Sequence, residues 1–281
     1  MKLLYVTDIH GIEWKHNKVY KLANSLNVDV VINGGDILPF RGNLLHQDKF
    51  ITGFLNDYFS KFESKKIYFL GLLGNDDLGI FDELFQQTCN KYSYVGNIAQ
   101  KRFQIDGSQY EFIGMNWVTD LPFGLKDRAR KDTQDFELPK QIGKQYLSSL
   151  SGFKRLDDWV SYVEKLPTIE EELINLVKPS DMSNTIYIFH NPPANLELDV
   201  TYDGRRVGSK AEYEFFKKNQ PKLSLHGHIH ESPIISGKWS SELNKTICIQ
   251  PGQSHQNEDV LFYAIIDLES MKFERFTSPR N

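Results

Sequence analysis

Five short blocks of metal-ligand residues occur in order along this chain: Asp8-Ile9-His10, Gly35-Asp36, Gly74-Asn75, the lone His190, and Gly227-His228-Ile229-His230. Most follow directly on an apolar run, such as Leu3 to Val6 before the first block and Val28 to Ile32 before the second, and such runs read as buried strands. Hard oxygen and imidazole donors at strand ends point to an α/β sheet, where ligands bind beyond the ends of the strands.

Taken one at a time, the blocks are weak. An Asp-x-His pair after a strand can turn both side chains the same way, yet it forms a turn or a helix cap more often than a metal site. A Gly-Asp pair is usually a loop. His190 stands before Asn191-Pro192-Pro193, where a structural role is the ordinary reading. His228 and His230 are stronger, because imidazoles two residues apart project together and Gly227 permits close backbone approach. The ordered conjunction of all five is what specifies a two-metal hydrolytic site.

In residue type, order and relative spacing, the stretch from Asp8 to His230 resembles the calcineurin-like metallophosphoesterases, whose blocks run D-x-H, GD, GN(H), H and GHxH. Val118-Thr119, Pro122-Phe123, Leu125-Lys126-Asp127, Val207-Gly208-Ser209, His230-Glu231-Ser232 and Pro251-Gly252-Gln253 look like a bacterial branch of that family. The resemblance implies an α/β fold, a four-layer α/β/β/α sandwich of two mixed β-sheets flanked by helices. It also implies two divalent transition-metal ions, one held by Asp8, His10, Asp36 and His230 and the other by Asp36, Asn75, His190 and His228, with Asp36 bridging. In such centres the paired ions activate a bridging hydroxide and clamp the oxygens of a phosphate ester. The implied reaction is phosphoester hydrolysis without a covalent enzyme intermediate, with Asp36, Asn75, Asp76 and His190 as catalytic positions. Carboxylate, amide and imidazole donors without thiolate suit manganese, iron or zinc.

One position departs from the family pattern. Where a His usually follows the Asn, this chain has Asp76 and then Asp77. A carboxylate beside two cations is expected to be ionised, which makes it a poor acid and a repulsive neighbour for phosphate, unless it points away or burial keeps it protonated. Two function classes follow: a phosphodiesterase or nucleotide phosphoesterase acting on a small substrate, and a metal- or phosphate-binding module with little catalysis.

Composition narrows the partners. A net charge of -4 over 281 residues argues against nucleic acid held by a broad basic surface, while leaving room for a local basic pocket. Arg41, Lys126, Arg205, Arg206 and Lys210 are the candidate phosphate or substrate contacts, although for each alone a solvated surface charge is the commoner reading. With 40% hydrophobic and 25% charged residues the chain can bury a sizeable core, and we expect a single domain over 1–281. Cys89 and Cys248 have no CxxC spacing and read as small buried hydrophobes of a reducing compartment. No apolar run approaches about 18 residues, so no membrane span and a cytoplasmic location are expected.

The coarse pattern alternates strand and helix through the first third. Lys2 to Thr7, Val28 to Asn33 and Ile67 to Leu72 read as strands, and Trp14 to Asn27 and the aromatic stripe from Phe50 to Phe62 as helices. Arg102 to Ile105 and Tyr110 to Met115 read as a hairpin that opens a second sheet. A partly helical insertion is expected at about 120–180. Beyond it, Thr185 to Phe189 and Lys222 to Leu225 read as strands and Lys210 to Lys218 as a helix. Pro233 to Ser236, Lys245 to Gln250, Val260 to Asp267 and Lys272 to Phe276 read as antiparallel strands. His226 reads as a neighbour of the ligands or a core histidine, and His16, His46 and His255 as surface residues.

Overall fold

The computed structural model describes residues 1–253 and 259–280. Its strands, in chain order, are β1 (Lys2–Val6), β2 (Val30–Asn33), β3 (Tyr68–Gly71), β4 (Val95–Asn97), β5 (Arg102–Gln104), β6 (Glu111–Met115), β7 (Val118–Thr119) and β8 (Ala129–Arg130). They continue as β9 (Gln145–Ser149), β10 (Gly152–Leu156), β11 (Thr185–Phe189), β12 (Leu223–Leu225), β13 (Ser240–Leu243), β14 (Thr246–Ile249), β15 (Val260–Asp267) and β16 (Lys272–Pro279). Longer helices span Glu13–Ser25, Asn56–Lys65, Asp82–Cys89 and Lys210–Asn219.

Two six-stranded sheets carry the fold, ordered β16-β15-β1-β2-β3-β4 and β13-β14-β12-β11-β6-β5. In the first, β1 to β4 run parallel and β15 and β16 antiparallel. In the second, β6, β11, β12 and β14 are parallel, with antiparallel edges at β5 and β13. Both sheets are therefore mixed.

The period-2 pattern of β1 explains the layering. Leu3 and Tyr5 turn into a core shared by the two sheets with Ile32, Phe112, Ile188 and Leu225. Leu4 and Val6 turn the other way, under the helices, against Val19, Phe59 and Phe62. A third core, including Ile113, Phe189 and Phe216, fills the outer face of the second sheet. Burying one such side chain contributes roughly 1.5–3 kcal/mol, and a one-residue slip would exchange both faces at once. The layers run helices, sheet, sheet, helices, which is the α/β/β/α sandwich expected. Tyr5 Oη ties the sheets together by donating to His226 O at 2.7 Å.

Several local expectations are corrected. Pro233 to Ser236 is not a strand: a short helix spans Ser232–Ile235 with its proline in the first turn, where the missing N–H costs nothing. Thr246–Ile249 pairs antiparallel with β13 but parallel with β12. His16 is buried at 1% exposure beneath Phe50, Phe54 and Tyr58; His46 is exposed, and His255 lies outside the described residues. Cys89 and Cys248 are buried and free.

Residues 120–180 hold the β9–β10 hairpin and short helices at Trp159–Val163 and Ile169–Asn175. Trp159 Nε1 donates to Asp120 Oδ2 at 3.0 Å, and Leu125 bridges to Tyr146. These contacts fix the segment that walls one side of the site.

Candidate metal centre

Five parallel strands deliver the donors. The loops after β1, β2 and β3 carry Asp8 and His10, Asp36, and Asn75, and those after β11 and β12 carry His190, His228 and His230. The β1–β2 pairing continues past the strand ends: Gly34 N donates to Val6 O at 2.9 Å, Asp8 N to Gly35 O at 3.0 Å and His10 N to Asp36 O at 2.8 Å. Asp8, His10, Asp36 and His228 all hold left-handed backbone, with φ of 55°, 52°, 52° and 67°. Each such residue carries on the order of 1–3 kcal/mol of strain, a pattern typical of functional sites.

Two groups of donor atoms meet at Asp36. In the first, one ligand atom from each of Asp8, His10, Asp36 and His230 lies within 4.8 Å of the others. Here His10 Nε2 is 3.2 Å from His230 Nε2 and 3.9 Å from Asp36 Oδ2, and His230 Nε2 is 3.7 Å from Asp8 Oδ1. In the second, Asn75 Oδ1 lies 2.9 Å from His190 Nε2 and 2.6 Å from His228 Nδ1, and Asp36 Oδ2 lies 3.5 Å from His190 Nε2. The structure thus brings together all seven residues singled out as ligands.

His190 Nδ1 faces Gly34 O at 2.8 Å. A carbonyl only accepts, so Nδ1 carries a proton, and Nε2 is turned toward Asp36 and Asn75. Gly35 makes this possible: with φ of +117°, it would place any Cβ 2.3 Å from His190 Nδ1. Gly74 is equally tight, since a Cβ there would meet Asp36 Oδ1 at 2.3 Å.

Negative charge accumulates in this buried site. Burial, opposed by His190 and reinforced by Asp36, pushes the Asp8 carboxyl up to about 7. Asp36 sits well below the ordinary carboxylate range: burial acts to raise it, but the His190 imidazole and His10 outweigh that. Burial acts to lower His190, yet Asp36 and Asp8 hold it up at about 9. Burial and the charge of His190 press His228 down to about 3, in the neutral form that ligates metals.

Asp76 faces the cleft with about a third of its side chain exposed, its Oδ2 3.7 Å from His10 Nδ1. Its backbone N–H donates to Asp36 Oδ1 at 2.9 Å. Burial of the carboxyl and the charges of Asp36 and Asp77 push its pKa well above the ordinary range.

A family model for the calcineurin-like phosphoesterases matches residues 1–232. The chain belongs to the calcineurin-like phosphoesterases. Among solved structures, a Thermus thermophilus protein is similar at 16% identity and a TM-score of 0.57, over 100% of this chain and 99% of that one. A dimetal phosphatase from Danio rerio is similar at 10% identity and a TM-score of 0.55, over 100% and 96%. No curated protein matches the chain. At these identities the neighbours support the fold of this family member and nothing finer. Among the described residues, no helix is long and apolar enough to cross a membrane.

Of the five basic residues singled out, Arg205 alone lines the cleft, beside Asp203 Oδ2 at 2.7 Å. Lys126 is buried in an ion pair with Asp120 at 2.6 Å. Arg206 pairs with Glu197 at 3.3 Å. Lys210 opens the helix Lys210–Asn219, where its N–H meets Asp132, and Arg41 lies over the Phe40 ring. His226 is a core histidine: its Nδ1 donates to Asn191 O and its Nε2 accepts from Ser224 Oγ, both at 2.9 Å.

Sequence reasoning passes over Asp77 and Arg128. The buried Asp77 carboxylate accepts from the amides of Ile37, Leu38 and Gly74. Arg128 forks onto Asp82 and reaches Gly74 O at 3.4 Å. A second acid directly after the Asn-Asp pair is the available signal for the first; the second has none, because its partners lie 46 and 54 positions away.

Proposed function

We propose that this chain is a two-metal phosphoester hydrolase acting on a small phosphodiester or nucleotide substrate. In this reading Asp8, His10, Asp36 and His230 hold one divalent ion, Asn75, His190 and His228 hold a second, and Asp36 serves both. The observation that carries it is the position of Asp36 Oδ2, 3.9 Å from His10 Nε2 on one side and 3.5 Å from His190 Nε2 on the other. The donor set fits: electron pairs of oxygen and imidazole nitrogen converge with buried carboxylates of like charge, a combination that a cation relieves. Manganese, iron and zinc all suit it.

When bound, a pair of divalent ions supplies Lewis acidity and offsets the charge of the phosphate. The chain's own residues do the rest. The Gly34 carbonyl sets the tautomer and tilt of His190, and Asn75 Oδ1 spans His190 and His228. Asp36 is oriented by the Asp76 amide. Asp76 takes the place of the family's usual His, so proton delivery to the leaving group is the weakest part of the machinery, and a binding module with little catalysis is the second reading. A single domain over 1–281 and a cytoplasmic location complete the proposal.

Elemental analysis after loading with manganese, iron or zinc, with turnover of a bis-nitrophenyl phosphodiester, tests it. Up to two ions per chain and metal-dependent turnover are expected, and both should fall in Asp36→Asn. Occupancy below about one ion per chain defeats the dinuclear reading. Full occupancy without turnover of any ester favours the binding module.

A further inference from the structure

The cleft beside the donor cluster has a volume of about 630 Å³ and a mixed lining. Asp36, Asn75, Asp76, His228 and His230 of the donor region line it. The lining also includes the apolar and aromatic residues Leu121, Pro122, Phe123, Tyr202 and Val207. Phe123 is 61% exposed and Tyr202 52% exposed.

Both aromatic residues sit on pinned backbone. Pro122 O accepts from Ile142 N at 2.8 Å. Tyr202 N donates to Glu231 Oε1 at 3.1 Å, and the turn carrying it is closed by Thr201 N to Arg205 O at 3.0 Å and Gly204 N to Thr201 O at 2.9 Å. Large rings held in solvent on fixed loops, at the mouth of a cleft, suit a flat ligand group that covers them.

Charge restricts the ligand further. The lining contains Asp36, Asp76, Asp203 and Glu231 against Arg205, which Asp203 already engages at 2.7 Å, while Asp120 is neutralised by Lys126. A second phosphate group placed away from the donor cluster would meet carboxylates. A purely aliphatic chain would strip water from Asp203 and Glu231 without returning a hydrogen bond. A heteroaromatic ring with polar edges does neither.

We propose that the cleft lining around Phe123 and Tyr202 binds the nucleobase-like substituent of a monoanionic phosphodiester, with these two as the specificity-determining residues. The proposal rests on the phosphoesterase reading for the seat of the phosphate.

Two measurements test it and separate it from that reading. In the first, manganese-loaded protein is titrated calorimetrically with thymidine methylphosphonate, methyl methylphosphonate and hexyl methylphosphonate, all monoanions. The thymidine compound is expected to bind about tenfold or more tightly than either of the others, with that margin lost in Phe123→Ala and in Tyr202→Ala. Phe153→Ala, which removes a ring 43% exposed on β10, should retain it. In the second, the ratio of kcat/KM for thymidine nitrophenyl phosphate over methyl nitrophenyl phosphate, which share a leaving group, should fall by a similar factor in the two cleft variants. Equal affinity for all three phosphonates, tighter binding of the hexyl compound, or an unchanged margin in both cleft variants overturns the proposal. A preserved thymidine preference in binding, with no turnover of either ester, supports the proposal and counts against the hydrolase instead.

Discussion

The buried Asp77 carboxylate accepts the Leu38 amide at 2.8 Å, and this bond holds the loop carrying Asp36 against the loop carrying Asn75. Ile37 N at 3.0 Å and Gly74 N at 2.7 Å complete the clamp. Two strands of one sheet thereby present their donors at a fixed separation, and the clamp itself needs no contact with substrate.

Asp77→Asn should therefore weaken metal binding without removing a ligand. The amide turns an NH2 toward backbone donors, and a buried donor left unmatched costs about 1–3 kcal/mol. Loss of a partner that orients ligands typically lowers metal affinity roughly 10–100-fold. Manganese titration checks this, and wild-type affinity in the variant would refute the clamp.

Gly35→Ala should disturb His190 in particular. The new Cβ would lie 2.3 Å from His190 Nδ1 at a φ of +117°, adding on the order of 1–3 kcal/mol of backbone strain besides the clash. A lower Tm and a metal stoichiometry reduced toward one are expected. Wild-type melting and full stoichiometry would show that the His190–Gly34 contact is dispensable.

Asp76→His should raise turnover of alkyl phosphodiesters more than that of aryl ones. Asp76 faces the cleft 3.7 Å from His10, and a positioned general acid is worth about 10²–10⁴-fold for a poor leaving group. If Asp76 is itself the working acid, Asp76→Asn abolishes alkyl ester turnover while metal content stays intact. No change in either variant at full occupancy would dismiss Asp76 from the reaction.

In the chelator-treated protein, the contribution of His16 to stability should fall as pH drops from 6.5 toward 4. Burial lowers His16 from 6.5 to about 4, partly offset by its contact with Ile37 O. In that window the unfolded chain takes up a proton that the folded chain refuses, so the stabilising effect is complete above pH 6.5 and lost toward pH 4. The size is roughly 3 kcal/mol. His16→Phe keeps a ring against Phe50, Phe54 and Tyr58 and should flatten this slope in urea unfolding; an identical slope would assign it to other groups.

Much of the site is legible in the sequence because each ligand block follows an apolar run, and parallel strands bring the residues after their ends to one edge of a sheet. The unbroken apolar run Leu3 to Val6 likewise announces a strand buried on both faces. Lys126 departs from its sequence reading for a physical reason: a lysine in sequence is a charge, and only the fold supplies the Asp120 that draws it inside. His16 departs similarly, since its cover comes from rings 34 to 42 positions further along.

Residue order alone determined which donors exist, that they follow strands, and that the position after Asn75 is a carboxylate. Tertiary structure alone decided that β15 lies beside β1, that Asp77 clamps two loops, that Asp76 faces the cleft, and that Phe123 and Tyr202 share its mouth. Donor identity and strand pattern are local properties written in neighbouring residues. Pairing, burial and the direction of a side chain depend on groups far away in sequence, and they are settled only when the two sheets close on their common core.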